Sequence, residues 1–98
     1  MSIIKVDYGE LAGGGTLEKY ELTANQQKNI TIKNGVVTMY HNQGAYNLAV
    51  TAIIDNGNAT VKTTSYATQT EKMTYDPTNN VLTVDTGYPV IVYATIIN

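Results

Sequence analysis

The sequence predicts a single all-β domain, either an antiparallel β-sandwich of jelly-roll or immunoglobulin-like type or a small barrel, with about eight or nine short strands. Three observations predict it. Threonine, valine, isoleucine and tyrosine, which favour strands, dominate the chain. Apolar residues recur at every second position rather than with the helical period of about 3.6. Turn-forming residues interrupt this pattern about every 8–12 residues.

The first elements are an N-terminal arm and a second strand. Residues 1–15 are predicted to form the arm, with a strand over residues 3–8 and a glycine-rich hinge over residues 9–15. Residues 16–98 are predicted to form one β-sandwich domain, which begins with a strand over residues 17–23. Glycine loses much backbone entropy on ordering. The hinge therefore favours an arm that pairs away from its neighbours in sequence, either at another sheet edge or with a partner chain.

Two asparagine-glycine pairs predict hairpins in the middle of the chain. Asn34-Gly35 separates the runs of residues 28–33 and 36–40, and this pair favours a type I′ turn. Residues 55–58, Asp-Asn-Gly-Asn, predict a second tight hairpin between a long strand that ends at Ile54 and a strand that begins at Ala59. A third hairpin is predicted around residues 76–80, because proline fits the second position of a turn and asparagine tolerates positive φ.

The last strand, predicted over residues 88–97, is apolar on both faces. Val90, Val92, Ala94 and Ile96 alternate with Ile91, Tyr93 and Ile97. The pattern is typical of a central strand covered on both sides, or of a strand whose second face is a subunit interface. The predicted assembly interface combines the apolar residues of the arm with the second face of this strand: Ile3, Ile4, Val6, Tyr8, Ile91, Tyr93 and Ile97.

Composition excludes several classes of protein. The 98 residues contain no cysteine, so disulfides and zinc-thiolate sites are excluded. Six lysines, no arginine and a net charge of −2 argue against nucleic-acid binding. No apolar run approaches the ~20 residues of a membrane span, and no signal peptide is visible. We therefore expect synthesis in the cytoplasm, with no nucleic-acid or membrane partner.

No residue pattern predicts catalysis, a metal site or a cofactor. Residues 13–15 form a triple glycine without the lysine and following helix of a phosphate loop. Residues 55–58 lack most ligands of a calcium loop. His41, the single histidine, is expected at the surface or at the edge of a loop. Glu18 and Glu21 fall on opposite faces of one strand, so they cannot work as a carboxylate pair. The protein is therefore predicted not to be an enzyme.

Tyrosine is the only aromatic residue type, with eight copies and no phenylalanine or tryptophan. One interpretation is that tyrosine fills the apolar role that phenylalanine has elsewhere. The other is that tyrosines supply stacking surfaces for the sugar rings of a cell-surface glycan, as in lectin sites. The candidate ligand contacts under this second interpretation are Tyr40, Tyr46 and Tyr88.

The opening of the chain carries a family resemblance. The run Ile3-Ile4-Lys5-Val6-Asp7-Tyr8-Gly9, followed by glycines 13–15, resembles the start of small structural and accessory proteins of tailed bacteriophages and prophages of Gram-positive bacteria. The resemblance implies a non-enzymatic virion protein of the tail-fibre region or a head appendage. Such a protein would assemble by β-strand pairing with itself and with other phage structural proteins. No binding residue carries over from the family.

Two other functions remain open on the sequence alone. One is a carbohydrate-binding module for host attachment, which would use tyrosine and asparagine in its loops. The other is a small phage inhibitor of a host defence protein.

Overall fold

The computed structural model describes residues 3–11, 15–41, 49–64 and 71–97, with the backbone alone for residues 3–11, 49 and 64. The described segments contain no helix, and their strands form two antiparallel sheets that pack face to face, which confirms the predicted all-β sandwich. The strands are β1 (Ile3–Leu11), β2 (Gly15–Leu22), β3 (Gln26–Thr31), β4 (Gly35–His41), β5 (Ala49–Asp55), β6 (Asn58–Thr64), β7 (Lys72–Asp76), β8 (Val81–Thr86) and β9 (Val90–Ile96).

The two sheets differ in width. The larger sheet has the strand order β1-β2-β9-β4-β5-β6, and the smaller sheet has the order β3-β8-β7. The last strand, β9, lies at the centre of the larger sheet between β2 and β4. Its inward residues Val90, Val92 and Ala94 are fully buried. The core between the sheets is made of alternating inward side chains, chiefly Leu22, Ile32, Val37, Met39, Val50, Leu82, Val84 and Val92.

Tyrosine takes part in this core. Tyr20 is buried, and its hydroxyl donates a hydrogen bond to the carboxylate of Glu18. Tyr75 packs against the core, and its hydroxyl donates to the carbonyl of Ile32 over 2.7 Å and lies 3.2 Å from Oδ1 of Asn80. Each buried ring therefore keeps its polar end satisfied, as a buried tyrosine requires.

The predicted type I′ hairpin at Asn34-Gly35 is wrong. β3 pairs with β8 in the smaller sheet, whereas β4 pairs with β5 and β9 in the larger one. The chain therefore crosses between sheets at this pair. A Cβ on Gly35 would lie 2.0 Å from the carbonyl oxygen of Thr95. Glycine is required here by this close approach rather than by a hairpin turn.

The other two predicted hairpins are confirmed. β5 and β6 pair directly, and the central residues Asn56 and Gly57 have φ of 49° and 76°, the positive values that a type I′ turn requires. β7 and β8 also pair, around the turn at residues 76–80. Asp76 accepts hydrogen bonds from the N–H groups of Thr78 and Asn79 over 2.9 and 3.4 Å, and so closes that turn.

The arm does not pair away from its neighbours in sequence, so that expectation is wrong. β1 pairs with β2, the next strand along the chain, from Ile3 opposite Leu22 to Leu11 opposite Gly15. The register shifts between Asp7 and Gly9. Residues 9–11 of the predicted hinge belong to β1, and residues 12–14 lie outside the described residues. β9 pairs with one side of β2, so the arm pairs with the other side, which is the nearest strand edge that it can reach.

Candidate functional site

The outer face of the larger sheet is the strongest candidate site in the described structure. It is the face turned away from the smaller sheet, and we define it by its apolar residues Val36, Tyr40, Ile53, Ile91 and Tyr93. Val36 lies opposite Ile53, and Tyr40 lies opposite Ile91, so the pairs project on one side of the sheet. Val36 is 39% exposed and Ile53 is 50% exposed. A contiguous exposed apolar patch rimmed by polar residues is a mark of an interaction surface.

A stacked aromatic pair lies within this outer face. The rings of Tyr40 and Tyr93 have centroids 6.0 Å apart and planes inclined by 12°. Nζ of Lys19 lies 5.9 Å from the centroid of Tyr93 and 3.9 Å from Oε2 of Glu21. The neighbouring strands β2 and β6 thus carry charged groups, Lys19 and Glu21 on one side and Lys62 on the other. An apolar, aromatic centre with a charged rim is the usual arrangement of a protein interface.

The structure places the predicted assembly residues in two groups. Ile91 and Tyr93 are half-buried on the outer face, at the centre of the sheet. Ile97 follows β9 and is 56% exposed, while its N–H donates to the carbonyl of Asn34 over 2.8 Å. The arm residues Ile3, Ile4, Val6 and Tyr8 lie along β1 at the edge of the same sheet, and their side chains lie outside the described structure.

The predicted ligand-contact tyrosines lie beside different neighbours. Tyr40 lies against Tyr93 on the outer face, among the residues predicted for assembly. Tyr88 is 53% exposed in the connection between β8 and β9, and its ring meets that of His41 edge-on at 5.8 Å. Tyr46 lies outside the described residues. The aromatic pair that the structure brings together is therefore Tyr40 and Tyr93, which the sequence had assigned to separate roles.

Of the two positions expected for His41, the surface is wrong, whereas the edge of a loop is not contradicted, since His41 is the last residue of β4. Its side chain is 7% exposed, and Nε2 lies 3.0 Å from Oε1 of Glu71, whose side chain is 1% exposed. The ring N–H is not directed at this oxygen, so the contact is an ion pair when the imidazole is protonated rather than an aligned hydrogen bond. The contact joins the end of β4 to the start of β7, and therefore the larger sheet to the smaller one.

The alternation of inward and outward residues along the strands contains a sequence signal for this buried pair. His41 continues the inward series of Val37 and Met39, and Glu71 continues the inward series of Met73 and Tyr75. Burial of a lone histidine depends on which strand crosses above it, and that pairing is not encoded locally. Among the residues that the structure describes, no group of three or more histidine, aspartate and glutamate side chains could hold a metal ion.

Two perturbed groups lie in the β7–β8 turn. Burial raises the pKa of the Tyr75 hydroxyl, and the charge of neighbouring Asp76 raises it further. The side-chain amide of Asn79 and the N–H of Thr78 lower the pKa of Asp76 by hydrogen bonding its ionised form. These pKa shifts arise from burial, charge and hydrogen bonds at a turn rather than in a cleft. They therefore indicate a contribution to stability and not a reactive site.

The described part of the chain has no helix of the length and apolarity that crossing a membrane would require. Comparison of the chain with protein-family models, with curated proteins and with solved structures finds no match.

Proposed function

We propose that the protein is a non-enzymatic structural protein that assembles with copies of itself through the outer face of its larger sheet. Its proposed setting is the virion of a tailed phage, as a component of the tail-fibre region or a head appendage made in the bacterial cytoplasm. The resemblance of residues 3–9 to such proteins supports the setting. The exposed apolar residues Val36 and Ile53 beside the stacked tyrosines support the mode of assembly.

The size of the outer face suits a second copy of the chain. Six strands about 4.8 Å apart and about seven residues long, at about 3.3 Å per residue, span about 600 Å². This flat projection is somewhat smaller than the about 800 Å² of accessible surface that a standard interface buries per partner, so face-to-face packing of two larger sheets would have to use all of the outer face. Two packed sheets lie about 10 Å apart, which lets the aromatic and branched side chains interdigitate.

The energetics favour association at the centre of this face. Full burial of a valine, leucine or isoleucine side chain contributes about 1.5–3 kcal/mol. Tyrosine is enriched among interface residues that dominate binding energy, because its ring is large and has few rotatable bonds. The rim carries both signs of charge, Lys19 and Lys62 with Glu21, so a second copy can place its acidic group beside a lysine.

The first prediction concerns the variant Ile53→Asp. We expect the wild-type protein to sediment as a dimer or larger species at micromolar concentration. Ile53→Asp should shift it to the monomer, because the interface would bury an unpaired charge. Ile53 is half exposed, so the fold should survive. Sedimentation equilibrium gives the mass, and circular dichroism checks the fold.

The matched control is Thr31→Asp. It makes the same substitution to aspartate at an exposed strand residue of the smaller sheet, away from the outer face. It should leave the mass unchanged. A wild-type protein that remains monomeric throughout the micromolar range would refute assembly through this face.

A second candidate function is binding of a cell-surface glycan. The observation that favours it is the stacked pair of Tyr40 and Tyr93 on an open surface, with the hydroxyls of Thr38 and Thr95 on the same face. Aromatic rings with nearby hydroxyl groups suit sugar recognition. A glycan array with the wild-type protein and Tyr93→Ala would decide: binding that Tyr93→Ala removes supports this candidate, and absence of binding by the wild-type protein contradicts it.

A further inference from the structure

The solvent side of the smaller sheet differs in chemistry from the outer face of the larger sheet. Along β8, Leu82 and Val84 point inward and are fully buried, whereas Thr83 and Asp85 point outward and are half-buried. The outward residues of the two flanking strands, β3 and β7, are polar and exposed: Gln27, Asn29, Thr31, Lys72, Thr74 and Asp76. This side of the sandwich therefore suits a ligand that forms hydrogen bonds rather than an apolar partner.

A cavity of about 500 Å³ lies at one end of this side of the sheet. Asp85 is at its centre, opposite Gln27 in the pairing of β3 with β8 and opposite Lys72 in the pairing of β7 with β8. The volume falls in the range of about 300–1,000 Å³ that is usual for ligand sites. We refer to this cavity as the polar groove, and the described residues that line it are Asn25, Gln27, Lys72, Asp85, Thr86 and Gly87.

Side-chain hydrogen bonds fix the two turns that border the polar groove. Oε1 of Gln26 accepts a hydrogen bond from the N–H of Thr23 over 2.8 Å, which closes the connection between β2 and β3. Oγ1 of Thr86 donates to the carbonyl of Tyr88 over 2.7 Å and accepts from the N–H of Tyr88 over 3.1 Å, which closes the connection between β8 and β9. A border that is ordered before binding reduces the entropy lost when a ligand arrives.

The central row of the polar groove alternates hydrogen-bond donors with an acceptor. The amide of Gln27 and the ammonium group of Lys72 donate, and the carboxylate of Asp85 between them accepts. Nε2 of Gln27 donates to Oδ2 of Asp85 over 3.2 Å, and this contact orients the carboxylate. A carboxylate has about four lone-pair sites, so Asp85 can accept further hydrogen bonds. A ligand hydroxyl both donates and accepts, so it can donate to Asp85 while it accepts from Lys72.

The charges of the described lining residues balance. Lys72 carries one positive charge, Asp85 carries one negative charge, and the other lining residues are uncharged. A phosphate or a divalent cation would meet a like charge beside the opposite one, so neither is favoured. An apolar ligand would remove water from the amides and charged groups and leave them unpaired. The ligand class that matches this lining is neutral and rich in hydroxyl groups.

We propose that the polar groove binds the ring of a neutral sugar, with neighbouring hydroxyls that bridge Asp85 to Lys72 and Asp85 to Gln27. This site is distinct from the stacked tyrosines, Tyr40 and Tyr93, which lie on the larger sheet. The polar groove and the outer face lie on opposite sides of the sandwich. Self-assembly through the outer face therefore leaves the polar groove open, and paired copies would bind a sugar-coated surface at two points with increased avidity.

A sugar titration followed by NMR tests the location of the site. The probes are glucose, galactose, mannose and N-acetylglucosamine, each added at millimolar concentration to the isotope-labelled intact chain. We expect at least one probe to shift the amide signals of Gln27, Lys72 and Asp85 with a saturable dependence on its concentration. The proposal fails if none of these sugars produces a saturable shift, or if the shifts centre on Tyr40 and Tyr93 instead.

Two variants with a matched control test the contacts. Asp85→Ala removes the acceptor and Lys72→Ala removes a donor, so each should weaken sugar binding about fivefold or more. Asp55→Ala makes the same substitution at an exposed residue at the end of β5, and it should leave the dissociation constant unchanged. The amide spectrum of each variant checks its fold. If Asp85→Ala does not fold, Lys72→Ala, which changes an exposed side chain, decides the comparison. Binding equal to that of Asp55→Ala in either folded variant would overturn the proposal.

A zwitterionic probe separates recognition of hydroxyls from recognition of charge. The free amino acid glycine carries both charges, so it would pair with Lys72 and Asp85 through charge alone. We expect glycine not to displace the bound sugar at equal concentration. We also expect added sodium chloride to leave sugar binding unchanged, because salt screens charge pairs and the sugar is neutral. Displacement by glycine would show that the polar groove binds charges and would overturn the assignment to a sugar.

Discussion

At the residue scale, the close approach of the Thr95 backbone to Gly35 limits which side chains position 35 can carry. The residue has a φ of 153°, and an added Cβ would lie 2.0 Å from the oxygen of Thr95 and 2.7 Å from Cδ1 of Ile32. The backbone carbonyl cannot move without disturbing β9, whereas the end of Ile32 can rotate. The collision with Thr95 is therefore the dominant obstacle to any side chain here.

The second prediction is that Gly35→Ala destabilises the protein by about 3 kcal/mol or more, since inserted volume forces a backbone shift. Gly57→Ala is the comparison, because its Cβ would meet only Oδ1 of Asn80 at 3.4 Å. That variant should cost about 1 kcal/mol, from the positive φ of 76°. Urea denaturation measures both. Equal losses of stability would show that the contact with Thr95 relaxes easily.

The third prediction concerns the buried contact of His41 with Glu71. His41→Leu should destabilise by about 3 kcal/mol, because it removes the imidazole beside a buried carboxylate. His41→Leu combined with Glu71→Leu should recover much of this loss, since the second substitution also removes the buried carboxylate. A double-mutant cycle by urea denaturation measures the coupling. Additive effects of the two substitutions would mean that the residues do not act as a pair.

At the scale of elements, local turn chemistry predicts a hairpin when both flanking strands belong to one sheet. The turns at residues 55–58 and 76–80 satisfy that condition, and both were predicted from asparagine, glycine and proline alone. Asn34-Gly35 carries the same local signal, yet its flanking strands belong to different sheets. Sheet membership depends on distant partners such as β8 and β9, so no local pattern could reveal it.

The fourth prediction belongs to the β7–β8 turn. The pKa of Asp76 lies below its ordinary value of 3.8 because Asn79 and Thr78 hydrogen bond the carboxylate. A carboxylate with a lowered folded-state pKa stabilises the protein above its unfolded pKa and loses that contribution as the pH falls through the folded value. Stability should therefore decline below about pH 4, and less so in Asp76→Asn. An NMR titration of Asp76 with a midpoint at or above 3.8 would contradict this.

At the scale of the whole molecule, the fold class could be predicted because strand period and turn spacing recur along the entire chain. The two apolar faces of residues 90–97 also predicted that Ile91 and Tyr93 would lie on a second surface. The grouping of Tyr40 with Tyr93 could not be predicted, because it requires β4 and β9 to be neighbours. The contact of His41 with Glu71 likewise depends on how the two sheets cross.

The position of the outer face has a consequence for symmetry. Contact between two outer faces would use the same patch on both copies, so it would be isologous and would close as a two-fold pair. An isologous pair covers its own contact surface, so through that surface alone it would stop at two copies and would grow into neither a ring nor a filament.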